Sequence, residues 1–142
     1  MRSLFALLLV GFGSAAAAPV PKDFKKQNDQ ARLVGTWKTR VLHLNGQVQT
    51  EITTHTFGFA ADGKCHTLYG AGNRSDWTYT LDPTATPKRM KWVNDRGNST
   101  FDCVYELTGD TLKLGFIGGG KPAPAKVEPG PDLTLYEMTR EK

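Results

Sequence analysis

The residues able to do chemistry are few and scattered. His43, His55 and His66 are the only histidines in the chain. A metal centre needs three or four ligands converging within a few ångströms. A two-residue turn at Asp62-Gly63 would set His66 opposite Phe59. His55 would then share that face with Phe57 and Phe59, about two cross-strand pairs away. No third ligand joins them, so no metal site is expected. Cys65 and Cys103 are the only cysteines. In an oxidising compartment they have two readings, one disulfide or a pair of buried thiols. No histidine and acid stand in a pattern that would make either a nucleophile. Gly118-Gly119-Gly120-Lys121 lacks the Ser or Thr and the following helix that a phosphate loop requires. Pro122, Pro124, Pro129 and Pro131 forbid that helix, so the segment reads as a long loop. Asp102 and Glu106 alternate onto a wet face. Asp76, Asp82, Asp95 and Asp110 flank turns, where Asp bonds its own backbone. No catalytic residue and no cofactor are expected, and the chain reads as a non-enzyme.

Two residues are directional and costly in another way. Trp37, in Gly35-Thr36-Trp37, opens the first strong strand pattern, and Arg140 follows the last.

The elements that must position these residues are strands. From Val34 onward, segments rich in Thr, Val, Tyr, Phe and Trp alternate with turn residues. Strands are predicted at about 34–43, 48–54, 55–61, 64–69, 76–82, 88–94, 99–107, 111–117 and 132–139. Asn45-Gly46 and Asp62-Gly63 are tight-hairpin signals. Pro83 and Pro87 stiffen a loop after Asp82. No long helix intervenes, so successive strands are antiparallel neighbours. Trp77, Tyr79 and Leu81 share one face, as do Phe101, Cys103, Tyr105 and Leu107. A sheet with one dry face removes its edges most simply by closing on itself. The expected fold is all-β, one antiparallel up-and-down barrel of eight or nine strands over 31–142. A short helix before it, within Asp23 to Leu33, is weakly patterned. The 118–131 loop would then sit at the barrel mouth. In such a barrel Gly35, Trp37 and Arg140 would form a closure clamp, the guanidinium stacked on the indole.

The chain begins with Met1-Arg2, an apolar run from Leu4 to Gly13, and Ala15 to Ala18. That order is a secretory signal peptide, expected over 1–17, followed by a flexible lead over 18–30. The run is well short of the ~20 residues that span a bilayer. A secreted or periplasmic protein without a permanent membrane anchor is expected. The formal net charge of +4, one less without Arg2, is spread among acids. Nucleic-acid binding, which needs clustered cations, is not expected.

Two stretches resemble known sequences. Leu33-Val34-Gly35-Thr36-Trp37-Lys38 and the late Arg140 resemble the opening and the partner arginine of calycins, the superfamily of lipocalins and fatty-acid-binding proteins. Leu81-Asp82-Pro83, Pro87-Lys88, Tyr105-Glu106-Leu107-Thr108-Gly109-Asp110-Thr111-Leu112 and Lys121-Pro122 resemble a lipocalin-like domain family abundant in exported planctomycete proteins. Lys121 departs from the arginine more usual there. The resemblance covers about residues 31–140 and implies the barrel fold, with no activity attached.

The function expected from these observations is a lipocalin-like binding module holding a small apolar or amphipathic ligand at the barrel mouth. Phe57, Phe59, Trp77, Tyr79, Trp92 and Tyr105 would line its pocket. The alternative is a barrel filled by those rings that binds another envelope protein through its outer face or the 118–131 loop.

Overall fold

The computed structural model of the chain describes residues 29–49 and 55–142. The expected leader (1–17), nearly all of the expected lead (18–30) and residues 50–54 of the second predicted strand lie outside the described residues.

Residues 29–33 are helical (α1). Nine strands follow: β1 Gly35–Leu44, β2 Gln47–Gln49, β3 Thr56–Phe59, β4 Lys64–Tyr69, β5 Asn73–Asp82, β6 Arg89–Asn94, β7 Thr100–Thr108, β8 Thr111–Ile117 and β9 Leu133–Arg140. From β3 to β9 each strand pairs antiparallel with the next, and β9 pairs back onto β1. This closes an eight-stranded up-and-down barrel, as the alternation predicts. The ninth strand, β2, is short and joins β3 along one edge of β1. β3 pairs with Gly35 to Lys38, and β2 with Leu42 to Leu44. The Asn45-Gly46 turn has both central φ angles positive, 53° and 79°, the conformation that matches strand twist.

The register of the β3–β4 hairpin corrects the sequence expectation. The loop has three residues, 61–63, rather than two. The Ala60 amide donates to the Lys64 carbonyl at 2.8 Å, and Gly63 takes a φ of +84°. Asp62 Oδ1 accepts from the Lys64 amide at 3.0 Å. The extra residue pairs Phe59 with Cys65 and Gly58 with His66. A one-residue slip moves a side chain to the other face. His66 therefore lies outside the barrel, with its ring over Gly58. A Cβ on Gly58 would come within 2.2 Å of that ring.

The second correction concerns the cysteines. Cys65 is on β4 and Cys103 on β7, with β5 and β6 between them. Both are buried free thiols, so the expected bridge gives way to the second reading.

The interior is apolar, including Trp37, Phe57, Trp92, Leu112, Leu114 and Met138. Val104, Leu133 and Leu135 are also buried, at 0%, 5% and 1% exposure, yet alternation turns them outward and they stand apart from the interior cluster. They meet across Gly115, whose Cβ would lie 3.3–3.5 Å from all three side chains. The 118–131 segment runs along the same outer side of the sheet. It leaves the sheet where Gly119 faces Phe101 and Thr100. Pro122 and Ala123 then line a hollow with Asp102 and Cys103, and Val127 lines another with Lys88, Glu106 and Leu107. Pro124 is buried, and the segment returns at Gly130, beside Gly46. The loop expected at the mouth is thus a strap down the outer face.

Candidate functional site

The two ends of the barrel differ. One is closed by α1 and the residues that tie it down. Leu33 is fully buried, and its carbonyl accepts the Trp37 indole N–H at 2.8 Å. Arg140, at the end of β9, lies with its guanidinium carbon 4.4 Å from the Trp37 ring centre. Its Nη1 donates to the Val34 carbonyl at 2.5 Å and its Nη2 to the Arg32 carbonyl. Gly35 lies under this guanidinium at a φ of +130°, and a Cβ there would sit 2.8 Å from Nη1. Any larger residue would displace the arginine.

Sequence reasoning missed the carboxylate that anchors the same end. Asp29 is only 4% exposed. Its Oδ2 accepts from Tyr105 at 2.9 Å and from Lys88 Nζ at 2.6 Å, and Arg32 Nη1 stands 3.5 Å from Oδ1. Burial first, then the bond to Asp29, raises the Tyr105 phenol pKa. An acid in a polar lead carries no periodic signal. The clue was its partner, since a buried tyrosine hydroxyl needs an acceptor.

The opposite end is the mouth, where Leu44, Phe101 and Phe116 are only partly buried. Trp92 is the hub of a ring network there. Its centroid lies 5.7 Å from Phe57, 5.6 Å from Trp77 and 6.3 Å from Phe116. Phe57 and Phe116 both reach Tyr136, at 4.9 and 6.3 Å. His55 lies between Tyr136 and Tyr69, with ring centroids 5.9 and 4.7 Å away. Polar atoms thread this wall. Trp77 Nε1 donates to Thr67 Oγ1 at 3.2 Å, and Thr67 donates to the Tyr69 hydroxyl at 2.7 Å. His55 Nδ1 is 3.3 Å from the Tyr136 hydroxyl. Trp92 is 3% exposed, and its indole N–H is buried without a partner among the described residues. Burial lowers the pKa of His55 and pushes Tyr136 up to about 12. At neutral pH the wall is therefore uncharged.

The six expected pocket residues do not form one lining. Phe57, Trp77 and Trp92 belong to the mouth network. Phe59 joins it, its ring 6.4 Å from Trp92, and packs edge-to-face on Tyr79 at 5.3 Å; the Tyr79 hydroxyl donates to the Ala60 carbonyl at 2.7 Å. Tyr105 is committed to Asp29. The structure adds Tyr69, Tyr136, Thr67 and His55, whose grouping depends on register across the barrel rather than on any local pattern.

The histidines are dispersed. His55 faces inward, His66 covers Gly58 outside, and His43 Nε2 lies 3.0 Å from Glu137. Among the described residues no three His, Cys, Asp or Glu side chains come together as a metal site. Burial, then Asp95 and Asp76, pushes Cys65 up to about 12, and burial raises Cys103 further. Both stay protonated and unreactive at neutral pH. Outside the barrel, a hollow of about 820 Å³ lies over Gly58 and His66. It is edged by Arg74–Asp76 at 2.8 Å and Lys64–Asp95 at 3.3 Å.

Comparisons with protein-family models, with curated proteins and with solved structures found no match.

Proposed function

We propose that this chain is an exported, non-enzymatic, lipocalin-like binding module that seats a small apolar or amphipathic ligand at the mouth of its barrel. One observation carries the reading. The Trp92 indole N–H is buried beside the partly buried rings of the mouth and has no acceptor among the described residues. A buried donor left unpaired costs about 1–3 kcal/mol, and a ligand acceptor would remove that cost. Because Phe59, Tyr79 and Tyr105 already fill part of the interior, the ligand is small and sits at the mouth. Organic extraction of full-length protein purified from its own host, followed by mass spectrometry, tests this. A stoichiometric small molecule is expected, and protein free of one would contradict the reading.

A second reading has its own support. The charged hollow over Gly58 and His66 offers an outer face for an envelope protein, and the stacked rings inside would then serve only the core. Protein that elutes with a stoichiometric partner chain and no small molecule would favour it.

A further inference from the structure

We infer that the mouth selects an uncharged, planar aromatic ligand that presents hydrogen-bond acceptors, an aromatic ketone or quinone in chemical class. This rests on the proposed reading of the mouth as a ligand site and goes on to name the ligand's chemistry.

Protons can be counted across this wall. Thr67 Oγ1 accepts the Trp77 N–H and shares a single hydrogen bond with the Tyr69 hydroxyl. Whichever hydroxyl donates, one O–H proton of that pair is left without an acceptor among the described residues. In the His55–Tyr136 pair, one of two protons is likewise left over. If Tyr136 donates to Nδ1, the His55 Nε2–H remains. If Nδ1–H donates, the Tyr136 O–H remains, with Nε2 as a lone acceptor. The Trp92 N–H is the third free donor. In either tautomer three donor protons are left over, and no carboxylate or ammonium belongs to the ring network. A ligand that covers these donors and cannot accept would leave them unpaired, the buried Trp92 N–H first among them, so the site disfavours it. Phe57, Trp92, Phe116 and Tyr136 pack on one another with centroids 4.9–6.3 Å apart, and a planar guest would extend that cluster at its rim by offset or edge-on stacking.

The test is calorimetric titration of the full-length protein with two probes of nearly equal shape, 2-acetonaphthone and 2-isopropylnaphthalene. Wild type should bind the ketone about tenfold more tightly or better. Trp92→Phe, which removes the buried donor outright, should shrink that advantage to about threefold or less. The comparison of the two probes on wild type needs no variant to fold, so it keeps the test decisive. Equal binding of both probes would overturn the acceptor requirement while leaving a ligand site at the mouth. Binding of neither probe up to millimolar concentration would overturn both.

Discussion

Arg140 and Trp37 are joined face to face across the closed end, with the guanidinium carbon 4.4 Å from the indole centre. The same guanidinium bonds the Val34 and Arg32 carbonyls, so one side chain ties the last strand to the chain entering the first. Trp37→Ala should cost about 3–5 kcal/mol and Arg140→Ala about 1–3 kcal/mol in urea denaturation. The double variant should cost less than the sum by about 0.5–2 kcal/mol. Strict additivity would show that the contact contributes nothing.

Asp29 anchors α1 to the barrel through Tyr105 and Lys88. Asp29→Ala should destabilise by about 1–3 kcal/mol, mostly by orphaning the buried Tyr105 hydroxyl. Tyr105→Phe in the Asp29→Ala background should then cost little or restore stability. A full, independent loss from each substitution would contradict the pairing.

Strand order, the Asn45-Gly46 turn and the inward faces of β5 and β7 were legible because alternation is a local property. What was not legible depended on counting or coverage. One extra residue in the 61–63 loop moved His66 from the interior to the surface, and Gly58 is the residue that accommodates it. Val104 is buried on the outer face of β7, and nothing in β7 announces a strap that begins ten residues after that strand. The mouth network escaped for a related reason. His55, Tyr69 and Tyr136 stand on the approach to β3, on β4 and on β9, and only barrel closure brings them together. Asp29 had no pattern at all.

The strap prediction follows from Val104, Leu133 and Leu135, which are buried on the outer face. Replacing 120–129 with a short Gly-Ser link should expose that groove. Stronger binding of an apolar dye and self-association in sedimentation are expected, with the barrel's far-ultraviolet spectrum retained. Unchanged dye binding would mean that the strap does not cover the groove.

Alkaline pH should unfold the protein. Burial pushes Tyr79 and Tyr136 up to about 12 and raises Tyr105 as well, whereas unfolded tyrosines titrate near 10. Between those values the unfolded state sheds protons that the folded state keeps, so stability is lost as pH rises. Cys65, up at about 12, begins the decline from about pH 9. Denaturation midpoints should be level from about pH 7 to 9 and fall steadily towards pH 11.5. A midpoint unchanged at pH 11 would contradict the burial of these groups.

The most direct test uses the three tryptophans as three reporters. Trp37 N–H is bonded to Leu33, Trp77 N–H to Thr67, and Trp92 N–H to nothing among the described residues. In ¹H–¹⁵N spectra of the full-length protein titrated with 2-acetonaphthone, the Trp92 indole signal should move downfield as it gains an acceptor. Trp37, at the closed end, should stay fixed. A Trp92 signal that does not move, or a larger change at Trp37, would contradict a ligand seated at the mouth.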